Sequence, residues 1–151
     1  MTRRHPKRSE RQGVDEYGRT PLHYAAADGD AVRASELLTA GLDPGAPDDK
    51  GWTPLHFAAQ ANSEAVTRLL LDAGAAVDPQ DADGNTPLAR AVFSSKGTGA
   101  VIELLRSRGA DPHRRNSHGM SPLGLARTIA NYDVARFFRD LPTDELGHST
   151  I

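Results

Sequence analysis

Gly18-Arg19-Thr20-Pro21-Leu22-His23-Tyr24-Ala25-Ala26 recurs as Gly51-Trp52-Thr53-Pro54-Leu55-His56-Phe57-Ala58-Ala59. The opening returns as Gly84-Asn85-Thr86-Pro87-Leu88 and as Gly119-Met120-Ser121-Pro122-Leu123, so its hydroxyl residue falls at 20, 53, 86 and 121, intervals of 33, 33 and 35. A second landmark keeps the same stride: Leu37-Leu38 before Gly41, Leu69-Leu70-Leu71 before Gly74, and Leu104-Leu105 before Gly109. In the last unit Phe137-Phe138 takes the leucine place. Two landmarks in register at a fixed period mark a repeat array.

Each unit can be read residue by residue. Thr or Ser before an apolar run is an N-cap, and proline next to it suits the first turn of a helix, where its missing N–H is not needed. Thr20-Pro21, Thr53-Pro54, Thr86-Pro87 and Ser121-Pro122 therefore open four short helices. Ala25-Ala26 and Ala58-Ala59 let neighbouring helices approach closely. After a polar break at Asp28-Gly29-Asp30 or Ala61-Asn62-Ser63, a second helix carries the leucine stripe, and Gly41, Gly74 and Gly109 fall where a helix end wants a left-handed residue. The spacing Asp-x-x-Gly at Asp15, Asp48 and Asp81 supplies a tight turn into each unit. Such a unit cannot bury its apolar face alone; stacking on its neighbours does that.

The period and the Thr-Pro-Leu-His-x-Ala-Ala run resemble the ankyrin repeat. The resemblance implies an all-α fold, an ankyrin-repeat solenoid of helix–turn–helix units with projecting β-turns. Residues 14–141 form the array, with units at about 15–47, 48–80, 81–115 and 116–141; a disordered basic arm (1–13) precedes it and a flexible tail (142–151) follows. Two units depart from the pattern. The third has Ala89 and Arg90 where His and an apolar residue are usual, and two extra residues within Ser94 to Ala100; the inserted Lys96-Gly97-Thr98-Gly99 loop is flexible by composition and either adds partner contacts or is simply tolerated. The fourth has Gly124 for His and reads as a C-terminal cap with a more polar outer face. No separate N-terminal cap is visible, and Val14 with the start of the arm is expected to shield that end.

Composition narrows the function. The 151 residues include no cysteine, which excludes disulfides, thiolate metal sites and a cysteine nucleophile. No apolar run approaches the roughly 18 residues of a membrane span, and no apolar stretch follows the basic N-terminus as a secretory signal requires; the expectation is a cytoplasmic protein without a membrane partner. Residues 1–13 carry five cations against Glu10, a net of +4, which leaves −6 on the rest against −2 in all. An acidic body with a basic arm does not suit a dedicated nucleic-acid binder.

Catalysis and cofactors find no support. His23 and His56 lie in the Thr-Pro-Leu-His run, and the resemblance implies that this His bonds the backbone of an adjacent turn. His113 and His118 lack a third metal ligand at helical spacing and read as loop residues. The acidic stretch Asp78 to Gly84 fails as a calcium loop, because Gly84 at position six puts Pro79 at one and Arg90 at twelve. A non-enzyme without cofactor or metal is expected.

What remains is a binding surface. A stacked array presents its turn tips and first-helix faces as one concave strip, and the resemblance implies that a protein partner binds there. The tip residues proposed for contact are Tyr17, Arg19, Asp49, Lys50, Trp52, Asp83, Asn85, His118 and Met120; the helix residues are Asp28, Gln60, Phe93 and Ser94. Trp52 either anchors a partner or packs against the neighbouring turn, and Tyr24 and Phe57 are expected in the core. The expected function is a non-catalytic protein–protein interaction module, as a stand-alone inhibitor or immunity protein, whose acidic body favours a partner with a basic surface. The alternative is a nucleic-acid or acidic-partner adaptor working through the arm.

Overall fold

In a computed structural model the chain is described over residues 13–129 and 131–142. The arm at 1–12 and the tail from 143 onward, together with what was expected of them, lie outside the described residues. Seven helices follow in order: α1 (Pro21–Ala27), α2 (Ala31–Thr39), α3 (Pro54–Gln60), α4 (Glu64–Asp72), α5 (Pro87–Ser94), α6 (Ala100–Ser107) and α7 (Pro122–Thr128); a short 3-10 turn spans Ala135–Phe138. No strand occurs among the described residues.

The helices begin where the hydroxyl–proline pairs place them. Thr53 accepts from the His56 amide (3.4 Å), Thr86 from Ala89 (3.3 Å) and Ser121 from Gly124 (3.0 Å). The outer helices use Asp30 on the Arg33 amide and Ser63 on the Val66 amide. Two layers result: α1, α3, α5 and α7 stack in one row, α2, α4 and α6 in the other. Leu22, Leu55, Leu88 and Leu123 are fully buried at the same register of the inner row, and Leu37, Leu70, Leu105 and Phe138 repeat at the outer one.

Three expectations need correction. The second helix of the fourth unit does not form; Phe138 reaches the leucine position from a single 3-10 turn instead. The first helices of the other units break through a residue with positive φ: Gly29 (67°), Asn62 (56°) and Lys96 (51°). In the fourth unit Ile129 leaves α7 in an extended conformation instead.

Second, the face of the first unit turned away from the next unit is polar in its own right, with Val14 half-buried beside it and the arm outside the described residues. The register position facing the preceding unit is Val66, Val101 and Val134, all buried, but Arg33 in the first unit, with its side chain 55% exposed. Pro21 is likewise exposed where Pro54, Pro87 and Pro122 are buried. A polar side chain at a position meant for apolar packing leaves that face soluble.

The inserted stretch, third, is seated on both neighbours. Asn62 Nδ2 donates to Thr98 Oγ1 (2.6 Å), and Arg136 donates to the Gly97 carbonyl (2.7 Å). Gly99 lies against the Phe137 ring so closely that a Cβ there would overlap the ring edge at Cε1. The two extra residues thus fasten the third unit to the second and fourth.

Candidate functional site

Every turn tip is built around one Asx side chain. Asp15 Oδ1 accepts from the amides of Tyr17 and Arg19, Asp48 Oδ1 from Lys50 and Trp52, Asp81 Oδ1 from Asp83 and Asn85, and Asn116 Oδ1 from His118 and Met120. The tips are then tied to each other through the backbone. The amides of Asp49, Ala82 and Ser117 donate to the carbonyls of Tyr17, Lys50 and Asp83 at 2.8–2.9 Å. The approach is close enough that a Cβ on Gly84 would lie 2.9 Å from the Ser117 nitrogen. Tip side chains therefore ride on a continuous, hydrogen-bonded rail, which holds a binding surface in one geometry.

The two histidines lock this rail to the inner helices. Thr20 and Thr53 donate their backbone N–H to Nδ1 of His23 and His56 (2.9 and 3.1 Å). Nδ1 must then be the acceptor, so the proton sits on Nε2, which donates to the carbonyls of Trp52 (3.1 Å) and Asn85 (2.8 Å) in the following tips. Burial pushes both imidazoles below their ordinary value, partly opposed by these carbonyls, and keeps them neutral. Both rings are fully committed to structure.

Above the rail, the first half of the strip is a stack of rings and guanidinium groups. Arg19 donates to Asp48 Oδ2 (3.2 Å) and lies 5.0–5.9 Å from the rings of Tyr17, Tyr24 and Phe57. Trp52 packs on Phe57 (4.8 Å) and beneath the Arg90 guanidinium (4.3 Å), which is itself held by Asp81 (2.6 Å). Trp52 is thus half-buried and committed to the neighbouring turn. Tyr24, expected in the core, is 41% exposed with its hydroxyl on the Asp15 carboxylate, because its register faces the strip and not the helix stack. Phe57, also expected in the core, is half-buried with its ring edge-on to His23.

The remaining proposed contact residues divide by what else they do. Asn85 and Ser94 are half-buried, the first accepting from Asn116 Nδ2 and the second donating to the Ala59 carbonyl. Asp28, Asp49, Lys50, Gln60, Asp83 and His118 stand exposed. Tyr17 is 49% exposed, Met120 37%, and Phe93 69%. Phe93 and Met120 line a hollow of about 220 Å3 with Leu125, Arg90 and His118. Arg90 and Leu125 were not among the residues singled out by sequence; Arg90 could have been, since it occupies the register of Tyr24 and Phe57, which face the strip. A wider hollow, about 860 Å3, runs from the strip onto the face of the first unit turned away from the second, lined by Arg19, Tyr24 and Asp28 together with Pro21, Asp30 and Arg33.

No group of three metal-ligating side chains stands together among the described residues, and no helix there is long and apolar enough to cross a membrane. The family model for ankyrin repeats, three copies, matches residues 33–116, more than half of the chain. The chain belongs to the ankyrin-repeat family. No curated protein matches it. Ankyrin repeats are in general protein–protein interaction modules and typically non-catalytic, and in this ankyrin-repeat chain the imidazoles best placed in sequence are the ones the fold consumes.

Proposed function

We propose that the chain is a non-catalytic module that binds one folded protein partner along the concave strip and acts by covering it, as an inhibitor or immunity protein does. The observation that carries this reading is Phe93, a large apolar ring 69% exposed beside the Met120–Leu125 hollow. Rings of this kind dominate interface energetics, each typically worth about 2 kcal/mol or more. Four units offer a strip on the order of 800 Å2, one side of a standard interface. Arg19 pairs with Asp48, and Arg90 with Asp81 and at longer range with Asp83; counted together, the carboxylates Asp15, Glu16, Asp48, Asp49, Asp81 and Asp83 outnumber Arg19, Lys50 and Arg90 and leave the first three tips acidic. That favours a basic surface on the partner.

The test is capture from native lysate with the intact protein beside a Tyr17→Ala/Phe93→Ala variant. Trp52 is left in place because the fold uses it. A protein retained by the intact bait and lost with the double variant, whose circular dichroism is unchanged, supports the reading. Equal retention by both baits, or retention that vanishes only when residues 1–12 are removed, overturns it in favour of an adaptor working through the arm.

A further inference from the structure

Along a solenoid, order in sequence is order in space, so a charge gradient in the chain becomes an electrical axis of the molecule. Within the array, residues 14–99 hold six cationic and 13 acidic side chains, whereas residues 100–142 hold seven and four; with the basic arm and the tail counted the two parts carry −3 and +1, the same sign of difference. The reversal is sharpest at the turn tips. The Asx residue is an aspartate in the first three tips and the neutral Asn116 in the fourth. The two positions before it are Gly13-Val14, Ala46-Pro47 and Pro79-Gln80, all uncharged, and then Arg114-Arg115. Both arginines are exposed; Arg114 has a long ion pair to Asp111 (3.8 Å) and also acts on the Asp78 carboxyl, and Arg115 donates to the Gly119 carbonyl (2.9 Å).

With helices packed about 8–10 Å apart, the first and fourth tips lie roughly 25–30 Å from one another. The screening length at physiological salt is only about 8 Å, so the two poles do not cancel at the surface, and each acts on whatever part of a ligand lies over it.

Resting on the proposed strip, we infer that the partner lies along the array in one direction, with a basic segment over the first three tips and a carboxylate-bearing segment at Arg114 and Arg115. Reversed, the partner would set like charges together at both ends, which costs affinity and slows encounter.

The probe is a bipolar peptide, lysines at one end and glutamates at the other with a Gly-Ser spacer between, carrying a nitroxide at either end and titrated into the isotope-labelled full chain. A nitroxide at the glutamate end should broaden the amides of Ser117 and Gly119, and one at the lysine end those of Tyr17 and Asp49. An Arg114→Glu/Arg115→Glu variant should lose the first pattern and keep the second, which a general loss of folding could not produce. Broadening of the same amides by both labels overturns the inference. So does a single-stranded oligonucleotide that shifts the fourth-tip amides at lower concentration than the glutamate end does. Failure here with the Tyr17–Phe93 dependence of capture intact removes the orientation and leaves the binding module standing; loss of that dependence with both broadening patterns intact removes the module instead.

Discussion

The first two junctions of the array and the last one do the same job with different parts. Between units one and two, and again between two and three, a buried neutral histidine reaches from an inner helix to the next tip's carbonyl. Between units three and four Ala89 leaves no such reach. There Asn116 bonds Asn85, Arg106 grips Asp140 and the Phe137 carbonyl, and the inserted Lys96–Gly99 loop receives Arg136 and Phe137. Where the second helix of the fourth unit is lost, scattered long-range contacts hold the end instead.

The contrast can be broken by mutation. The largest effect is expected from Phe138→Ala, which empties the outer-row core position of the fourth unit; about 3–5 kcal/mol should be lost in urea denaturation. His56→Ala comes next, because it strands the Thr53 N–H and the Asn85 carbonyl, at about 1–3 kcal/mol for a group left unpaired; Ala89→His, by contrast, should give no matching gain. Gly99→Ala should cost about 1–3 kcal/mol through overpacking against Phe137. A neutral or stabilising Gly99→Ala would mean that the insertion is a free loop and not a clasp.

Titration sharpens the comparison further. The folded pKa of His23 and His56 lies below the ordinary 6.5, so the unfolded chain binds more protons as pH falls through 6.5 toward the folded value. Stability is present above that window and lost on acidification, and the urea midpoint of His56→Asn should depend less on pH there. Asp78 works in the opposite sense. Burial raises its pKa above 3.8, against the opposing Asp111 amide, and its buried Oδ1 has no partner. Its folded form holds the proton more tightly, so stability is gained as pH falls through its folded pKa, and Asp78→Asn should flatten that smaller gain.

The fold was open to reading because its determinants are local and recur. Thr-Pro starts a helix, the leucine pair faces inward, and Gly41 or Gly74 ends a unit, each for reasons contained within a few residues. Arg33 in the register of Val66, Val101 and Val134 was equally visible, and marks a polar outer face on the first unit. The clasp was not visible. Its partners are 31 to 39 residues apart and none recurs, so no period announces the fit of Gly99 to Phe137 or of Arg136 to Gly97. For the same reason Trp52 could not be assigned from sequence: its role depends on Arg90, a side chain one unit away.

The central claim is that the tips and first helices form the working face. Amide hydrogen exchange on the captured complex tests it most directly. Added protection is predicted at residues 16–19, 49–52, 82–85 and 117–120 and at the ends of α1, α3 and α5, with α2, α4 and α6 unchanged. Protection confined to α2, α4 and α6 would contradict the account and move the interface to the outer row.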